Sequence, residues 1–320
     1  MSLYRSVRAV ANASGDGVVD WEAVTEAAKA STDPGSLDLD PTEREGYAAD
    51  VRDARERVRA VSGTSFDLPR RVEIQNRHHW IDANVETFRQ VMAPLEDRTG
   101  LFPGAARVIN TGTMSLALGF LGRHVMGQYD PLLLADGDEH GLYFVRPNIR
   151  RAAGELDVEY ERFRRWIAFH EVTHAAEFGA APWLSEHLEA RMQRGIDELA
   201  DGRFDRAAFD ELDTAMTVVE GYAELLMDHA FDDEYADLRR KLEARRSGGG
   251  PVTRVVRRML GLGLKRRQYE RGRAFFETVA EERGVEAAGA VWETPVNLPT
   301  DDELDDPQRW LRRVDPGRSR

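Results

Sequence analysis

Two histidines flank a glutamate in "HEVTH", residues His170 to His174. On a helix, side chains at i and i+4 lie one above the other, so His170 and His174 can each aim an imidazole nitrogen at one point. Neutral imidazole is a preferred zinc ligand, and a catalytic zinc site keeps one position of its tetrahedral set for water. Glu171, next to the first histidine, is placed to take a proton from such a water. With eight histidines in the chain, about 0.02 matches to this pattern are expected by accident. The competing reading is a surface helix with solvated histidines. It does not account for the flanks: an apolar stripe runs through Phe163, Trp166 and Ile167 into His170, Glu171, His174 and Phe178. Polar groups on a core-facing stripe are costly to bury without a partner, and a metal ion is such a partner.

A site of this kind needs a third ligand. "LDTAMTVVEGYAELLMDHAF", from Leu212, reads as a second amphipathic helix with Leu212, Met216, Val219, Ala223, Leu226 and Met227 on its apolar side. Glu220 falls on that side and is the expected third ligand. Glu224, one turn later, is expected to orient a ligating histidine from behind. Glu177 is a rival, but it shares a helix with the histidines and would crowd the same site. His78 and His79 are adjacent, point to opposite sides of a helix and cannot chelate one ion. His229 lies too far along its helix to join Glu220.

The elements that must position these residues are mostly helical. Val18 to Ala30, Glu43 to Val61, Asn76 to Leu95 and Thr113 to Met126 have helical spacing, and successive helices run from Leu156 to Val279. Gly141 to Ile149, "GLYFVRPNI", is the best strand, stopped at Pro147. The Gly run at Ser247 to Pro251 is expected to be a mobile loop. The Pro/Asp-rich tail is expected to pack as an extended arm through Trp292 and Trp310. The reading is α+β, mostly α with a small sheet: an acidic N-terminal helical region, 1–65, then a catalytic region, 66–320, the two possibly interlocked as one unit.

Composition narrows the chemistry. The chain has 320 residues and no cysteine, so any metal must be held by His, Asp or Glu. Its formal charge of −13 argues against a nucleic-acid or anionic-membrane surface. The basic run Arg254 to Arg273 reads as an amphipathic helix with a solvated basic face. No run is long and apolar enough for a signal peptide or a membrane span, so a cytoplasmic protein is expected. Lys29, Lys241 and Lys265 are the only lysines among 44 basic residues. That composition fits a halophilic source, whose surface carboxylates keep the protein soluble in salt.

"HEVTH" followed by "VEGYAE" resembles the gluzincin layout, in which a glutamate and a small residue on a later helix complete the zinc site. More of the chain is similar to a zincin-like family of metallopeptidases from actinobacteria, chloroflexi and haloarchaea. The similar pieces are "NRHHWIDAN", "GQYDP", "LYFVRPNI", "HEVTHAAEF", "VVEGYAELLMDH", "LKRRQYERGRAFFETV" and "VWETPVNLPTDDEL". They span roughly residues 40 to 315. Tyr222 stands where the family usually has histidine. The resemblance implies a zincin-like fold with additional N- and C-terminal helices, one catalytic Zn2+, a peptide or protein substrate, and a name tied to deazaflavin-coenzyme biosynthesis. By the same analogy the Gly141 strand would receive substrate as an added strand, and Tyr269 would stabilise the oxyanion. The expected activity is zinc-dependent hydrolysis of a peptide bond. The alternatives are a zinc-containing binding protein without turnover and a hydrolase of non-peptide amides.

Overall fold

The computed structural model describes residues 3–15, 17–96, 103–130, 140–200, 206–232, 235–247 and 265–317. Its contacts divide the chain into two interleaved units. One comprises 1–38, 71–152 and 192–206, and the other 39–70, 153–191 and 207–320. Residues 39–65 of the acidic N-terminal region fall in the same unit as the HEVTH helix.

In the first unit, α1 (Leu3–Ala11) and α2 (Trp21–Ala30) precede β1 (Arg71–Gln75), α4 (Arg77–Glu96), α5 (Pro103–His124), β2 (Gly127–Asp130) and β3 (Gly141–Val145). Asp20 caps α2 by accepting from the Ala23 N–H. The three strands are ordered β1-β3-β2, with β1 parallel and β2 antiparallel to β3. Trp21, Val24, Trp80, Ile81, Leu118 and Val145 form the core of this unit. His78 Nε2 lies 2.7 Å from the Thr32 carbonyl and 3.1 Å from that of Lys29, which ties α4 to the end of α2.

Two expectations about this region are corrected. The strand ends at Val145, and "RPNI" opens α6 (Arg146–Leu156). Pro147 stops the strand as expected, yet it also suits a first helical turn, where no N–H is needed. The second correction concerns substrate. β3 is central and buried along its whole length. Its backbone is paired on both sides, so it has no edge to accept an added strand.

The second unit contains α3 (Pro41–Ser62), α7 (Tyr160–Ala180), the start of α8 (Leu184–Ala200), α9 (Arg206–Ala230), α10 (Tyr235–Ser247) and α11 (Lys265–Arg283). α3 is well delimited. Asp40 caps it, Pro41 occupies its first turn, and Gly63 ends it with a left-handed φ of 66°. Tyr47, Val51, Ala54 and Val58 form its buried side. Its acids grip α7: Arg164 Nε donates to Asp50 at 2.6 Å and Arg165 Nη2 donates to Asp53 at 2.7 Å. The Arg164 guanidinium lies 5.2 Å from the Tyr47 ring centroid and occupies the space that a side chain at Gly46 would need.

The C-terminal tail is not an extended arm. It folds into short helices α12 (Val285–Ala288), α13 (Asp301–Asp305) and α14 (Pro307–Val314), with 3-10 turns at Gly289–Trp292 and Pro295–Asn297. Thr300 and Glu303 form a reciprocal capping box on α13. Trp292 and Trp310 are both fully buried, as a packed tail requires. The Gly run at 248–250 and most of the basic run lie outside the described residues. The fold is α+β, mostly helical, with one small three-stranded sheet.

Candidate metal centre

α7 carries the HEVTH residues and is buried on nearly every side. Between Trp166 and Phe178 each residue is buried except His170 and His174, which are partly exposed. The expected buried stripe is therefore reversed in one respect. The histidines mark the one side of this stretch that solvent reaches. Glu171 between them is 7% exposed. Trp166 stacks on His170 with ring centroids 5.5 Å apart and planes at 13°, and His170 meets His174 edge-on at 4.7 Å. These contacts limit the rotation of both imidazoles.

α9 brings Glu220 to the same place. One ligand atom from each of His170, His174 and Glu220 lies within 4.8 Å of the other two. The position of Glu220 depends on its neighbour. A Cβ on Gly221 would lie 2.5 Å from the Gly272 carbonyl carbon and 2.6 Å from its Cα. A Cβ on Gly272 would collide with the Thr217 carbonyl oxygen. α9 and α11 thus cross with backbone against backbone, which only glycines allow.

The electrostatics favour a cation. Burial alone would lower the His174 pKa, but the carboxylates of Glu177, Glu220 and Glu171 outweigh it and raise it to about 9. A pocket that holds a proton this firmly offers the same negative potential to a metal ion. The donor set, two imidazoles and one carboxylate, fits zinc and leaves room in a tetrahedral set. Glu177 accepts from His174 Nδ1 at 2.8 Å and is fully buried. Burial pushes its own carboxyl up to about 7, with His174 opposing and Glu220 adding to the rise.

Glu224 is not where it was expected to act. It accepts from the Tyr235 hydroxyl at 2.9 Å and lies 3.7 Å from Arg239 Nε. Arg239 also pairs with Asp228, so Glu224 fastens α10 to α9. The carboxylate on His174 is Glu177 instead. Glu177 is the i+3 neighbour of His174, the spacing that lets two helical side chains meet, but the same periodicity admitted Glu224. Tyr222 is buried edge-on against Phe276 and Trp292. Burial, and then the charge of Glu177, pushes its phenol above the ordinary range. Tyr269 falls on α11, but its side chain lies outside the described residues. His229 Nδ1 is engaged with the Leu225 carbonyl of its own helix at 2.9 Å.

A family model described as "Zincin-like metallopeptidase" matches residues 19–205 and 192–311. The chain belongs to the zincin-like metallopeptidase family. No curated protein matches it. A crystal structure from Chloroflexus aurantiacus, provisionally described as a hydrolase with a novel fold, is 29% identical, with a TM-score of 0.73. The alignment covers 98% of this chain and 99% of that one. Family membership places the chain among zinc-dependent hydrolases. Among the described residues, no helix is long and apolar enough to cross a membrane.

Proposed function

We propose that this zincin-like protein is a metallopeptidase in which His170, His174 and Glu220 hold one zinc ion and Glu171 is the general base. The observation that carries this reading is the convergence of those three ligand atoms within 4.8 Å on the partly exposed side of α7. A zinc ion there supplies Lewis acidity, lowering the pKa of water and polarising a carbonyl. With His174 Nδ1 committed to Glu177, Nε2 is the nitrogen available as a ligand. Glu220 contributes the anionic ligand. Its helix is held by the glycine crossing, so the carboxylate is positioned by rigid backbone.

Glu171 sits one residue from the first ligand and is 7% exposed, close enough to reach a water at the metal. It takes the proton from the attacking water and delivers it to the departing amine nitrogen, so the hydrolysis is balanced without any other group. A site meant only to hold the fold together has no need of this base. The glutamate therefore favours turnover over a binding role.

The test is a peptide library incubated with zinc-loaded wild type and with Glu171→Gln. Wild type should cleave, and the variant should lose about 10²–10⁴-fold in turnover while keeping its zinc. Equal turnover in both would refute the mechanism. Tight peptide binding with no cleavage by either would support a binding protein on this scaffold.

A further inference from the structure

Among the carboxylates near the ligands, Glu177 has the least access to water. It is 0% exposed. Oε2 lies 2.8 Å from His174 Nδ1, whereas Oε1 is buried with no hydrogen-bond partner among the described residues. Taking a carboxylate out of water costs several kcal/mol, roughly, unless charge and hydrogen bonds compensate it. A residue retained only to fill space at this position would be better as a hydrophobic side chain of similar volume. One strong bond, to the back of an imidazole, is what Glu177 gains from its burial.

The geometry suits that bond. His174 and Glu177 are three residues apart on one helix, so no loop or second element has to move to bring them together. The His174 side chain is 14% exposed, and the carboxylate beside it is fully buried. Glu224, one turn beyond Glu220, is bonded to Tyr235 and does not reach His174.

We infer that Glu177 is the positioning residue of the metal centre. By accepting the Nδ1–H of His174 it fixes the tautomer that keeps a lone pair on Nε2, and its negative charge makes that nitrogen a stronger ligand. The inference rests on the metal reading given above. A carbonyl in the same place would fix the tautomer but not strengthen the ligand. The charge therefore separates Glu177 from an ordinary hydrogen-bond acceptor.

The experiment uses the full chain and reads metal binding, not turnover. Wild type, Glu177→Gln, Glu177→Leu and Glu224→Gln are titrated with Co2+ while the visible absorption of the bound ion is followed. Zn2+ affinity is then measured by competition with a chromogenic chelator. Proton NMR of the zinc-loaded proteins reports the exchangeable Nδ1–H. Glu177→Leu should weaken zinc about 10–100-fold, the range expected when the partner of a ligating histidine is removed. It should also shift the cobalt band and abolish the Nδ1–H resonance. Glu177→Gln, which keeps an acceptor and loses the charge, should fall between this variant and wild type. Glu224→Gln should match wild type. If Glu177→Leu does not fold, Glu177→Gln decides: wild-type affinity with an unchanged cobalt band overturns the inference. A wild type that binds neither metal removes the metal centre itself, which is a different result from equal binding by wild type and the Glu177 variants.

Discussion

Replacing Gly221 by alanine sets two effects of opposite sign against each other. In an unobstructed helix interior, glycine to alanine gains about 1 kcal/mol because the unfolded chain loses freedom. At Gly221 the new Cβ would stand 2.5 Å from the Gly272 carbonyl carbon, 2.6 Å from its Cα and 2.8 Å from its oxygen. Ordinary carbon contacts lie at about 3.5–4 Å, so α9 and α11 must separate by about 1 Å. The obstacle is backbone and has no alternative rotamer. The penalty therefore belongs at or above the top of the ~1–3 kcal/mol range for overpacking. Net destabilisation of about 2 kcal/mol follows. For 320 residues, an unfolding entropy of about 2.1 cal/mol/K per residue converts this to a Tm lower by about 3 °C. Glu220 moves with the backbone, and a ligand displaced by about 1 Å exceeds the ~0.5 Å tolerance of a preorganised site. Zinc affinity should fall along with Tm. Gly154→Ala is the control, since its added Cβ meets nothing within 4 Å, and it should raise Tm slightly. Calorimetry and chelator competition on the two variants decide the matter. A Gly221→Ala protein as stable as wild type, with unchanged zinc affinity, would refute the close crossing.

Arg164→Met should cost about 3–5 kcal/mol in denaturant unfolding, because it strands the Asp50 carboxylate against a buried surface. Adding Asp50→Leu should recover much of that loss, and a single-variant cost below about 1 kcal/mol would mean that α3 does not grip α7 through this pair. His187 supplies a pH dependence. Burial, then the Arg191 guanidinium, lowers its pKa from 6.5 to about 4, with Glu211 opposing. The folded pKa lies below the unfolded one, so this contribution is complete above pH 6.5 and is lost as pH falls from 6.5 toward 4. After allowance for solvent access it amounts to roughly 1–2 kcal/mol. His187→Gln should therefore flatten the stability profile between pH 7 and 4.5, and profiles of equal slope would contradict the assignment.

The helices that carry His170, His174 and Glu220 were legible because i, i+4 spacing and an apolar face are local properties of a helix, although α7 is buried on nearly every side and not along one stripe. Glu220, on the apolar side of its own helix, comes within 4.8 Å of both histidines. The partner of His174 could not be read from spacing, because Glu224 and Glu177 both meet the periodicity, and the choice depends on what else each can reach. Tyr235 and Arg239, on the next helix, engage Glu224. β1 escaped notice because its alternation, Val72 and Ile74 between polar neighbours, runs for only five residues, and Val72 is exposed while Gln75 is buried. The capping box in "TDDE" was a readable sign of a helical tail, masked by the surrounding prolines. The grouping of α3 with α7 depends on pairs such as Asp50–Arg164, 114 positions apart. No local pattern reveals a pairing at that distance.

That separation has a consequence during synthesis. At about 5–20 residues per second, the ribosome needs on the order of ten seconds to pass from Asp50 to Arg164. Throughout that interval the apolar side of α3, with Tyr47, Val51, Ala54 and Val58, has been made and the helix that covers it has not. A nascent segment left uncovered this long is open to aggregation. Asp53 has Arg57 of the same newly made helix to pair with, whereas Asp50 stays solvated until Arg164 arrives, so the two acids enter the helix pair from different starting states.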